Sequence, residues 1–403
     1  MTRFALQARW VLPIESPPIE GGVVTIEGGK IAAVGTRTDN GTTVQDLGDV
    51  VLLPGLINAH THLEFSQLAK PLGQPSLSLP EWIQLVIANR KQLSDAALSL
   101  TAGLRESLQA GVTTLGEIST VNLPVAELGP LPDLIAFQEV IGFSAARIES
   151  VFGELEERLQ AGQSAYGLGI SPHAPYTVHP ELLKRITALA CQHQLPVAMH
   201  LAESREELQL LRENTGPFRE LLERRSMWDS QVFARGLEPL DYLRVLAQAP
   251  RALVVHGNYL SQQEIEFIAK SRQRMSIVYC PRTHAYFGHQ AYPLQEMFAA
   301  GVQLAVGTDS RASNPDLSVL SELRYIAQTH PSVSPERVLS LGTLGGAKAL
   351  GIADLVGGLV PGKLANLTTI ACESSRQAPL SAILFGDEKP KRTWLRGHEI
   401  ETI

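Results

Sequence analysis

Histidines and carboxylates that could bind a metal ion recur at the ends of apolar stretches in this sequence. The segment LLPGLINAHTHLEFS, residues 52–66, ends its apolar run with His60 and His62, and Glu64 follows two residues later. Alternate residues of a strand point to the same side, so the two imidazoles are expected to face one way. A buried polar group without a partner costs several kcal/mol. These side chains are therefore expected either to face water or to hold a ligand.

Later apolar runs end in residues of the same chemical types. They are His173 after AYGLGISP, His200 and Glu203 in MHLAE, His256 after ALVV, and Asp309 in VGTD. Three neutral imidazoles with one carboxylate suit zinc or ferrous iron, whereas calcium and magnesium prefer oxygen ligands. Such a metal lowers the pKa of a bound water toward about 7, and Glu203 is spaced to carry protons. Taken alone, each residue has a structural alternative, and for Asp309 it is a helix N-cap.

Eight apolar runs, separated by amphipathic stretches, must position these residues. The runs are residues 53–60, 111–118, 134–141, 165–171, 196–203, 252–257, 275–281 and 302–309. Alternation of strand and helix predicts a parallel sheet, and eight repeats predict a (β/α)8 barrel whose active site lies at the carboxyl ends of the strands. If the chain folds as such a barrel, all the candidate residues lie at the same rim. The charged, helical residues 204–250 are an insertion expected to lie over the barrel mouth.

Both ends of the chain differ from the middle. GGVVTIEGGKIAAVG alternates apolar and polar residues between glycine pairs, which predicts a hairpin, and GGLVPGKLANLTTI and RTWLRGHEI have a similar texture. Chain ends often lie close together, so residues 1–53 and 356–403 are expected to form one composite β-sandwich domain. Residues 54–355 are expected to form the catalytic barrel. The predicted fold class is α/β, a TIM-type barrel with a small β-sandwich.

The composition excludes several classes of function. The 403 residues are 44% hydrophobic and 19% charged, and the net charge is −7. A dispersed acidic balance offers no basic face for nucleic acid or for an anionic membrane surface. Cys191, Cys280 and Cys372 form no C-x-x-C pair, so neither disulfides nor a zinc–thiolate site is expected. We find no signal-peptide pattern and no apolar run long enough to span a membrane. A cytoplasmic protein with a small-molecule substrate is therefore expected.

Taken together, the motifs resemble those of the amidohydrolase superfamily. The resemblance is carried by PGLINAHTHLEFS, SPHAPYTV, HLAES, VVHGNYL, CPRTHAYFG, VGTDSRAS and GGLVPGKLANLTTI. The sequence looks most like the mononuclear aminohydrolases, a branch that holds cytosine, guanine, S-adenosylhomocysteine and triazine deaminases. His173 stands where dinuclear relatives carry a carboxylated lysine, which favours one divalent metal per subunit. Zinc is the first expectation and iron the alternative, and the family's habit favours a homodimer.

The resemblance also implies a role for each residue. The implied metal ligands are His60, His62, His200 and Asp309. Glu203 would carry protons to the ring nitrogen and to the leaving ammonia, and His256 would steady the hydroxide or the tetrahedral intermediate. Asp309 would also accept a proton from the attacking water, and His173 would contact substrate. The implied reaction is hydroxide attack on an amidine carbon, followed by loss of ammonia.

The pattern around Glu64 bears on the substrate. HTHLEFS, together with SLPEWI, resembles the aminodeoxyfutalosine deaminases of menaquinone biosynthesis, whose substrate is an adenine nucleoside with an aromatic carboxylate. This nucleoside is the leading candidate. Triazine chlorohydrolysis or N-dealkylation, deamination of another nucleobase, and hydrolysis of a cyclic amide are the alternatives. Glu64 would bind ribose hydroxyls or a base amine, or else bond the backbone at the strand end. Trp82 would stack on a substrate ring or anchor a helix.

One loop departs from the family pattern. Relatives often carry a Ser-Asn pair where this chain has Thr283 and His284. Arg282, His284 and His289 are expected to bring cationic potential to the rim. Arg282 would either form a bidentate pair with a substrate carboxylate or make a structural ion pair, and Arg147 is a further candidate of the same kind. A non-enzymatic metal-binding barrel is disfavoured because the complete ligand set and the proton carrier are present.

Overall fold

The computed structural model describes residues 3–90, 96–120, 131–161, 167–230, 232, 236–372 and 378–400. Short strands form the N-terminal part, alternating strands and helices form the middle, and short strands return near the C-terminus. None of the helices in these ranges is long and apolar enough to cross a lipid bilayer.

Seven short strands occupy the described N-terminal part. They are β1 (Arg3–Gln7), β2 (Trp10–Val11), β3 (Ile19–Glu20), β4 (Val23–Glu27), β5 (Lys30–Gly35), β6 (Thr43–Asp46) and β7 (Val50–Pro54). Strands β4 and β5 pair antiparallel, as the predicted hairpin requires. Gly28 and Gly29 connect them with φ angles of 58° and 79°. Residues with a side chain rarely adopt this left-handed backbone, so the tight turn favours glycine at both positions.

Each of the eight predicted apolar runs overlaps a strand of one parallel sheet. These strands are β8 (Leu56–Thr61), β9 (Val112–Ser119), β10 (Asp133–Val140), β11 (Gly167–Pro172), β12 (Pro196–Leu201), β13 (Arg251–His256), β14 (Met275–Tyr279) and β15 (Gln303–Val306). Neighbours in the sheet follow the chain order. The two outer strands meet through a parallel bridge between Thr61 and Asp309. The predicted (β/α)8 barrel is therefore confirmed.

Alternation along the strands divides the buried side chains between two cores. The barrel interior holds Ile57, Ile135, Phe137, Ala198, Leu253 and Val255. The outer face, which packs against the helices, holds Leu134, Val197, Met199 and Val254. His200 follows Ala198 by two residues and Glu139 follows Phe137 by two, so alternation directs both polar side chains toward the barrel axis.

Helices surround the barrel in the described part of the chain. They are α1 (Leu79–Arg90), α2 (Ala96–Gln109), α3 (Ile148–Ala161), α4 (Pro180–His193), α5 (Arg205–Glu213), α6 (Pro217–Arg224), α7 (Pro239–Leu246), α8 (Gln262–Lys270), α9 (Pro281–Tyr286), α10 (Leu294–Ala300), α11 (Val319–Thr329), α12 (Pro335–Leu341), α13 (Leu344–Leu350) and α14 (Pro379–Phe385). In α8, Ser261 and Glu264 form a capping box that satisfies free N–H groups at the helix start. In α4, apolar residues at helical spacing, among them Leu182, Leu183, Ile186 and Leu189, bury one face of the helix.

The insertion at residues 204–250 forms α5, α6 and α7. Helix α6 buries Phe218, Leu221 and Leu222. These three side chains line a cavity together with the strand-end residues at the barrel mouth. The insertion thus supplies a wall over the mouth, as its position in the sequence predicts.

Strands from both chain ends build a β-sandwich beside the barrel. The C-terminal strands are β16 (Leu367–Ala371), β17 (Pro390–Leu395) and β18 (His398–Ile400). One sheet has the order β5-β4-β1-β6, and the other has the order β18-β17-β16-β7-β2-β3. Their shared core includes Leu6, Ile26, Leu52, Leu367 and Trp394. Strand β7 ends at Pro54 and β8 begins at Leu56, so the chain passes from the sandwich to the barrel within two residues.

Gly307 lies where β15 meets β8, and substituting it tests this closure. A Cβ atom at Gly307 would lie 2.8 Å from the backbone oxygen of His60. Because His60 is held within a barrel strand, Gly307→Ala is expected to lower the free energy of unfolding by about 1–3 kcal/mol. Chemical denaturation measures this change. In the control Gly153→Ala, the added Cβ meets no atom within 4 Å, and this helical substitution should be neutral or stabilising. Equal stability of the Gly307→Ala and wild-type proteins would contradict the tight closure.

Candidate metal centre

Three histidines form a compact cluster at the carboxyl ends of β8 and β12. The ligand atoms of His60, His62 and His200 lie within 4.8 Å of one another. The Nε2 atoms of His62 and His200 are 3.4 Å apart. The ring of His60 lies 4.9 Å from that of His62 and 5.0 Å from that of His200, measured between ring centroids. The structure thus brings together three of the four residues that the sequence proposes as ligands.

Asp309 brings a carboxylate to the same cluster. Its Oδ1 lies 3.6 Å from His60 Nε2 and 3.7 Å from His62 Nε2. The Ser313 hydroxyl donates to its Oδ2 at 3.2 Å, which leaves Oδ1 turned toward the imidazoles. Asp309 does not cap a helix, because the helix that follows, α11, has Ser318 as its N-cap. The N-cap alternative is therefore wrong.

The spacing of these four side chains fits one metal ion. Two ligand atoms about 2.1 Å from a tetrahedral ion lie about 3.4 Å from each other. Three separations in the cluster are 3.4, 3.6 and 3.7 Å, and all the histidine ligand atoms lie within 4.8 Å of one another. Both ring nitrogens of His60 are buried and have no hydrogen-bond partner among the described residues. Burial without a partner costs about 1–3 kcal/mol per group, and a bound cation removes that cost at the nitrogen that coordinates it. Three imidazoles and a carboxylate suit a divalent ion such as zinc or ferrous iron.

His62 and His200 are in the neutral state that metal binding requires. Burial, reinforced by the neighbouring histidines, lowers the pKa of both well below the usual value. The Nδ1–H of His200 donates to the backbone oxygen of His173 at 2.8 Å. A carbonyl oxygen can only accept a hydrogen bond, so the lone pair of His200 lies on Nε2 and faces the cluster.

Left-handed backbone occurs at three positions near the cluster. The φ angles are 53° at Ala202, 67° at His256 and 57° at Asp309. This conformation costs a residue with a side chain about 1–3 kcal/mol. Val254 packs outward, so simple alternation would also send His256 outward. Instead its ring lies 5.4 Å from that of His200, measured between centroids. The strained backbone at the strand end accompanies this inward position.

Glu203 and His256 form a second pair beside the histidine cluster. Glu203 Oε1 lies 3.5 Å from His256 Nε2. Burial raises the pKa of Glu203 well above its usual value, and the carboxylates of Asp309 and Glu207 add to the rise. Burial likewise lowers the pKa of His256. Glu207 accepts hydrogen bonds from the backbone N–H groups of Ala202 at 2.8 Å and Glu203 at 2.9 Å. The site thus places a carboxyl group with a raised pKa, a group suited to proton transfer, beside an imidazole with a lowered pKa.

A cavity of about 240 Å³ adjoins these groups. Its polar end is lined by His62, His173, His200, Glu203, His256 and Asp309. Its apolar wall is lined by Leu79, Trp82, Ile83, Val86, Ile87, Phe218, Leu221, Leu222 and Met227. An apolar pocket with a few converging polar groups suits a small organic molecule.

Two predicted substrate contacts, His173 and Trp82, lie in the cavity wall. The Nδ1 atom of His173 is hydrogen-bonded to the Thr177 hydroxyl at 2.6 Å. The Trp82 ring packs edge-on against Phe287, with centroids 5.2 Å apart, and its indole N–H donates to the Ala312 carbonyl at 3.2 Å. Trp82 therefore anchors α1, as one of its two predicted roles requires, and stacking on a substrate ring stays a prediction for the surface that it presents to the cavity.

Glu64 lines the cavity, but its carboxylate is already paired. Arg90 Nε and Nη2 donate to its two oxygens at 3.0 and 2.8 Å. Neither oxygen bonds the backbone of any described residue, so that alternative is wrong. At the strand end it is Glu117 that holds the backbone, by accepting from the Leu63 N–H at 3.0 and 3.1 Å. The Glu64–Arg90 pair instead fastens the end of α1 to the rim.

The expectation that Arg282 pairs with a substrate carboxylate is wrong. Its Nε donates to Glu322 at 2.6 Å, and its two Nη atoms donate to Asp316 at 3.1 and 2.6 Å. Two carboxylates therefore occupy its donors and neutralise its charge. Arg282 does not line the cavity. The alternative of a structural ion pair describes it.

The other cations expected at the rim do not act there either. Arg147 is exposed and lies outside the cavity lining. Burial lowers the pKa of His284 to about 3 and that of His289 to about 4, so both are neutral. The hydroxyls of Thr283 and Ser313 are 3.0 Å apart and hydrogen-bonded. This loop therefore supports the hydroxyl that orients the carboxylate of the metal centre.

Three charged residues that line the cavity are absent from the sequence-based site. They are Arg90 at the end of α1, Glu139 on β10 and Arg225 after α6. Glu139 carries the same signal as the other candidates, because it is a polar residue near the end of the apolar run LIAFQEVI. Arg90 and Arg225 carry no such signal, since arginines on amphipathic helices commonly face solvent.

A parallel α/β barrel with a histidine–aspartate centre at the carboxyl ends of its strands is typical of a metal-dependent hydrolase. The chain belongs to the amidohydrolase family, whose model matches residues 51–400. It is similar to 5-methylthioadenosine/S-adenosylhomocysteine deaminase of Moorella thermoacetica. The two are 30% identical over 415 residues, which cover 98% of this chain and 90% of that protein. The protein is thus a hydrolytic enzyme.

Two solved structures share the whole fold. Aminofutalosine deaminase of Helicobacter pylori, in complex with methylthio-coformycin, has a TM-score of 0.86 and 24% identity over 99% of this chain and 100% of that chain. Atrazine chlorohydrolase of Arthrobacter aurescens TC1, complexed with zinc, has a TM-score of 0.81 and 18% identity over 98% of this chain and 94% of that chain. At these identities the likeness shows the fold alone.

Replacing His60 tests the metal centre directly. His60→Ala should lose stoichiometric divalent metal, because it removes the most deeply buried imidazole of the cluster. Equilibrium dialysis against zinc, followed by elemental analysis, measures the loss. His193→Ala is the matched control, since His193 is exposed at the end of α4. Full metal occupancy in a folded His60→Ala protein would refute the ligand assignment.

Proposed function

We propose that the protein is a zinc-dependent deaminase of adenine nucleosides, with aminodeoxyfutalosine as its leading substrate. The observation that carries this proposal is the buried Glu203 carboxyl group, 3.5 Å from His256, beside a histidine–aspartate centre in a largely apolar cavity. The names of two similar proteins, a 5-methylthioadenosine/S-adenosylhomocysteine deaminase and an aminofutalosine deaminase, support the nucleoside class. The zinc in the similar chlorohydrolase supports the choice of metal.

The side chains divide the work of such a reaction among them. The ion would be held by His60, His62, His200 and Asp309. When bound, it would supply Lewis-acid chemistry that lowers the pKa of a water toward about 7. Glu203 donates its proton to the ring nitrogen while the water oxygen attacks the adjacent amidine carbon, and Asp309 accepts a proton from that water. The carbon–nitrogen bond to the amino group then breaks. The two water protons finish on the departing ammonia and on Glu203, which is thereby restored.

His256 stabilises the attacking oxygen in this scheme. Its Nε2 lies 3.5 Å from Glu203 Oε1, and the Tyr292 hydroxyl donates to its backbone oxygen at 2.8 Å. The Asn258 side-chain amide donates to the backbone oxygen of Glu203 at 2.9 Å. The proton carrier and the imidazole are therefore both held in place before substrate binds, which reduces the reorganisation needed in the transition state.

The apolar wall of the cavity and Arg225 support a substrate that carries an aromatic carboxylate. Trp82 and Phe218 bring aromatic side chains to the wall, which favours contact with a second ring. Arg225 also lines the cavity, and its guanidinium has no hydrogen-bond or ion-pair partner within the described residues. An arginine of this kind can bind a carboxylate through two parallel hydrogen bonds. These features suit the aromatic carboxylate of aminodeoxyfutalosine.

Replacing Glu203 tests the proposed chemistry. Glu203→Gln should lower the rate of ammonia release by about 10²–10⁴-fold while metal stays bound, because a proton carrier is lost and no ligand is removed. Coupled ammonia detection with adenosine, aminodeoxyfutalosine, guanine, cytosine and a triazine measures both rate and preference. Glu206→Gln, in the first turn of α5, is the control. A near-normal rate in Glu203→Gln would refute the role of Glu203. Chloride or alkylamine release from triazines without nucleoside deamination would favour the competing hydrolase activity.

Replacing Arg225 tests the finer choice of substrate. Arg225→Gln should raise the KM for aminodeoxyfutalosine roughly fivefold, the scale of an exposed ion pair, and leave the KM for 5-methylthioadenosine unchanged. The neighbouring Arg224, whose Nε donates to the Glu220 carbonyl at 3.3 Å, provides the control variant Arg224→Gln. Steady-state kinetics on both nucleosides compares the two variants. An equal rise in KM for the two nucleosides would contradict a contact with the carboxylate.

A further inference from the structure

Three glutamates lie close together on the side of the barrel mouth near α1, and only one of them is unpaired. Glu64 is bonded by Arg90, and Glu117 accepts the backbone N–H of Leu63. Glu139 is only 9% exposed, and its carboxylate has no hydrogen bond or ion pair with the residues that the structure describes. It lines the cavity. A carboxylate this deeply buried needs donors, and the cavity is where a ligand can bring them.

The position of Glu139 on the sheet determines which part of a ligand it meets. It shares the inner face of β10 with Phe137, so its side chain points toward the barrel axis. Glu203 and His256 belong to the ends of β12 and β13, and β11 lies between those strands and β10. Glu139 therefore approaches the substrate from a different sector of the mouth than the groups that move protons. Its contacts with a ligand therefore differ from those of Glu203 and His256.

The surrounding charges help Glu139 to accept hydrogen bonds. Burial raises the pKa of this carboxyl group, and the guanidinium groups of Arg90 and Arg158 oppose that rise. Arg158 is fixed nearby, because its Nη2 donates to the backbone oxygen of Glu139 at 2.8 Å. A carboxylate has acceptor lone pairs on both oxygens, so its two oxygens can accept hydrogen bonds from two neighbouring hydroxyl groups.

We propose that Glu139 binds the vicinal ribose hydroxyls of the substrate and makes the enzyme selective for ribonucleosides over deoxyribonucleosides. The assignment rests on the proposed deamination of an adenine nucleoside. Such a nucleoside offers two kinds of donor to a carboxylate, the amino group on the reacting carbon and the sugar hydroxyls. The amino group must lie near Glu203, so the hydroxyls are what remains for Glu139. Arg90 donates to both carboxylate oxygens of Glu64, so Glu64 forms part of the cavity wall and is not assigned to the hydroxyls.

A double-mutant cycle between enzyme and substrate tests this contact. The metal-loaded wild-type enzyme and Glu139→Gln are assayed for ammonia release with adenosine, 2′-deoxyadenosine and 3′-deoxyadenosine. In the wild type, removing a bound hydroxyl should lower kcat/KM by about 10- to 100-fold, the scale of a hydrogen bond to a charged group. Glu139→Gln should lose a similar factor with adenosine and almost nothing further with the deoxynucleoside that lacks the bound hydroxyl. Glu156→Gln, exposed on α3, should retain the wild-type discrimination.

Each result bears on the assignment. The assignment would be overturned if removing either hydroxyl lowered the kcat/KM of Glu139→Gln by the same factor as that of the wild type. Equal wild-type kcat/KM values for all three nucleosides would overturn it too. The comparison of the three nucleosides on the wild-type enzyme needs no variant. It therefore tests the assignment even if the Glu139→Gln protein fails to fold. A wild-type enzyme that deaminates no adenine nucleoside would overturn the proposed function and the assignment together. An active enzyme with independent losses would overturn the role of Glu139 alone.

Discussion

The burial of His60, whose ring nitrogens have no hydrogen-bond partner among the described residues, is the constraint on which the site depends. Each unpaired buried group costs about 1–3 kcal/mol, and both nitrogens of this side chain are buried. The neighbouring imidazoles and the Asp309 carboxylate lie at the spacing that one ion would require. Surrounding contacts turn the ligand atoms inward, since the His173 carbonyl orients His200 and the Ser313 hydroxyl orients Asp309. The folded chain thus positions the ligand atoms in advance, and a bound ion would stabilise this arrangement.

Reaction and recognition use different elements of the fold. The proton-carrying groups follow barrel strands, where backbone bonds to Glu207 and Asn258 fix them. The apolar wall comes from α1 and α6, which are inserted between strands and can vary without disturbing the barrel. Arg225 belongs to this wall, whereas Glu139 belongs to the sheet. On the proposed assignments, Glu139 on a barrel strand recognises the sugar, and Arg225 in the insertion recognises the remote substituent.

The treatment of charge follows a consistent pattern across the mouth. Glu64 and Arg90 neutralise each other, and Arg282 is neutralised by Glu322 and Asp316. Burial raises the pKa of Glu203 and lowers that of His256, so both shifts favour the uncharged forms. Among the charged residues that line the cavity, Glu139 and Arg225 stand out because each lacks a partner within the described residues. A charged group without a partner at the edge of a pocket is what a ligand can satisfy.

The sequence by itself determined the barrel, the hairpin and the meeting of the strand-end histidines and carboxylates at one rim. These depend on local periodicity, and a parallel barrel brings the ends of all its strands to one rim. The resemblance to the amidohydrolases then selected His60, His62, His200 and Asp309 as the ligands. Only the tertiary structure decided the partners of Arg282 and Glu64, which pair with residues 40 and 26 positions away. It also decided that His256 lies inward despite the alternation of its strand. Periodicity describes the direction of a side chain along its own element, whereas pairing and burial depend on which distant elements pack against it.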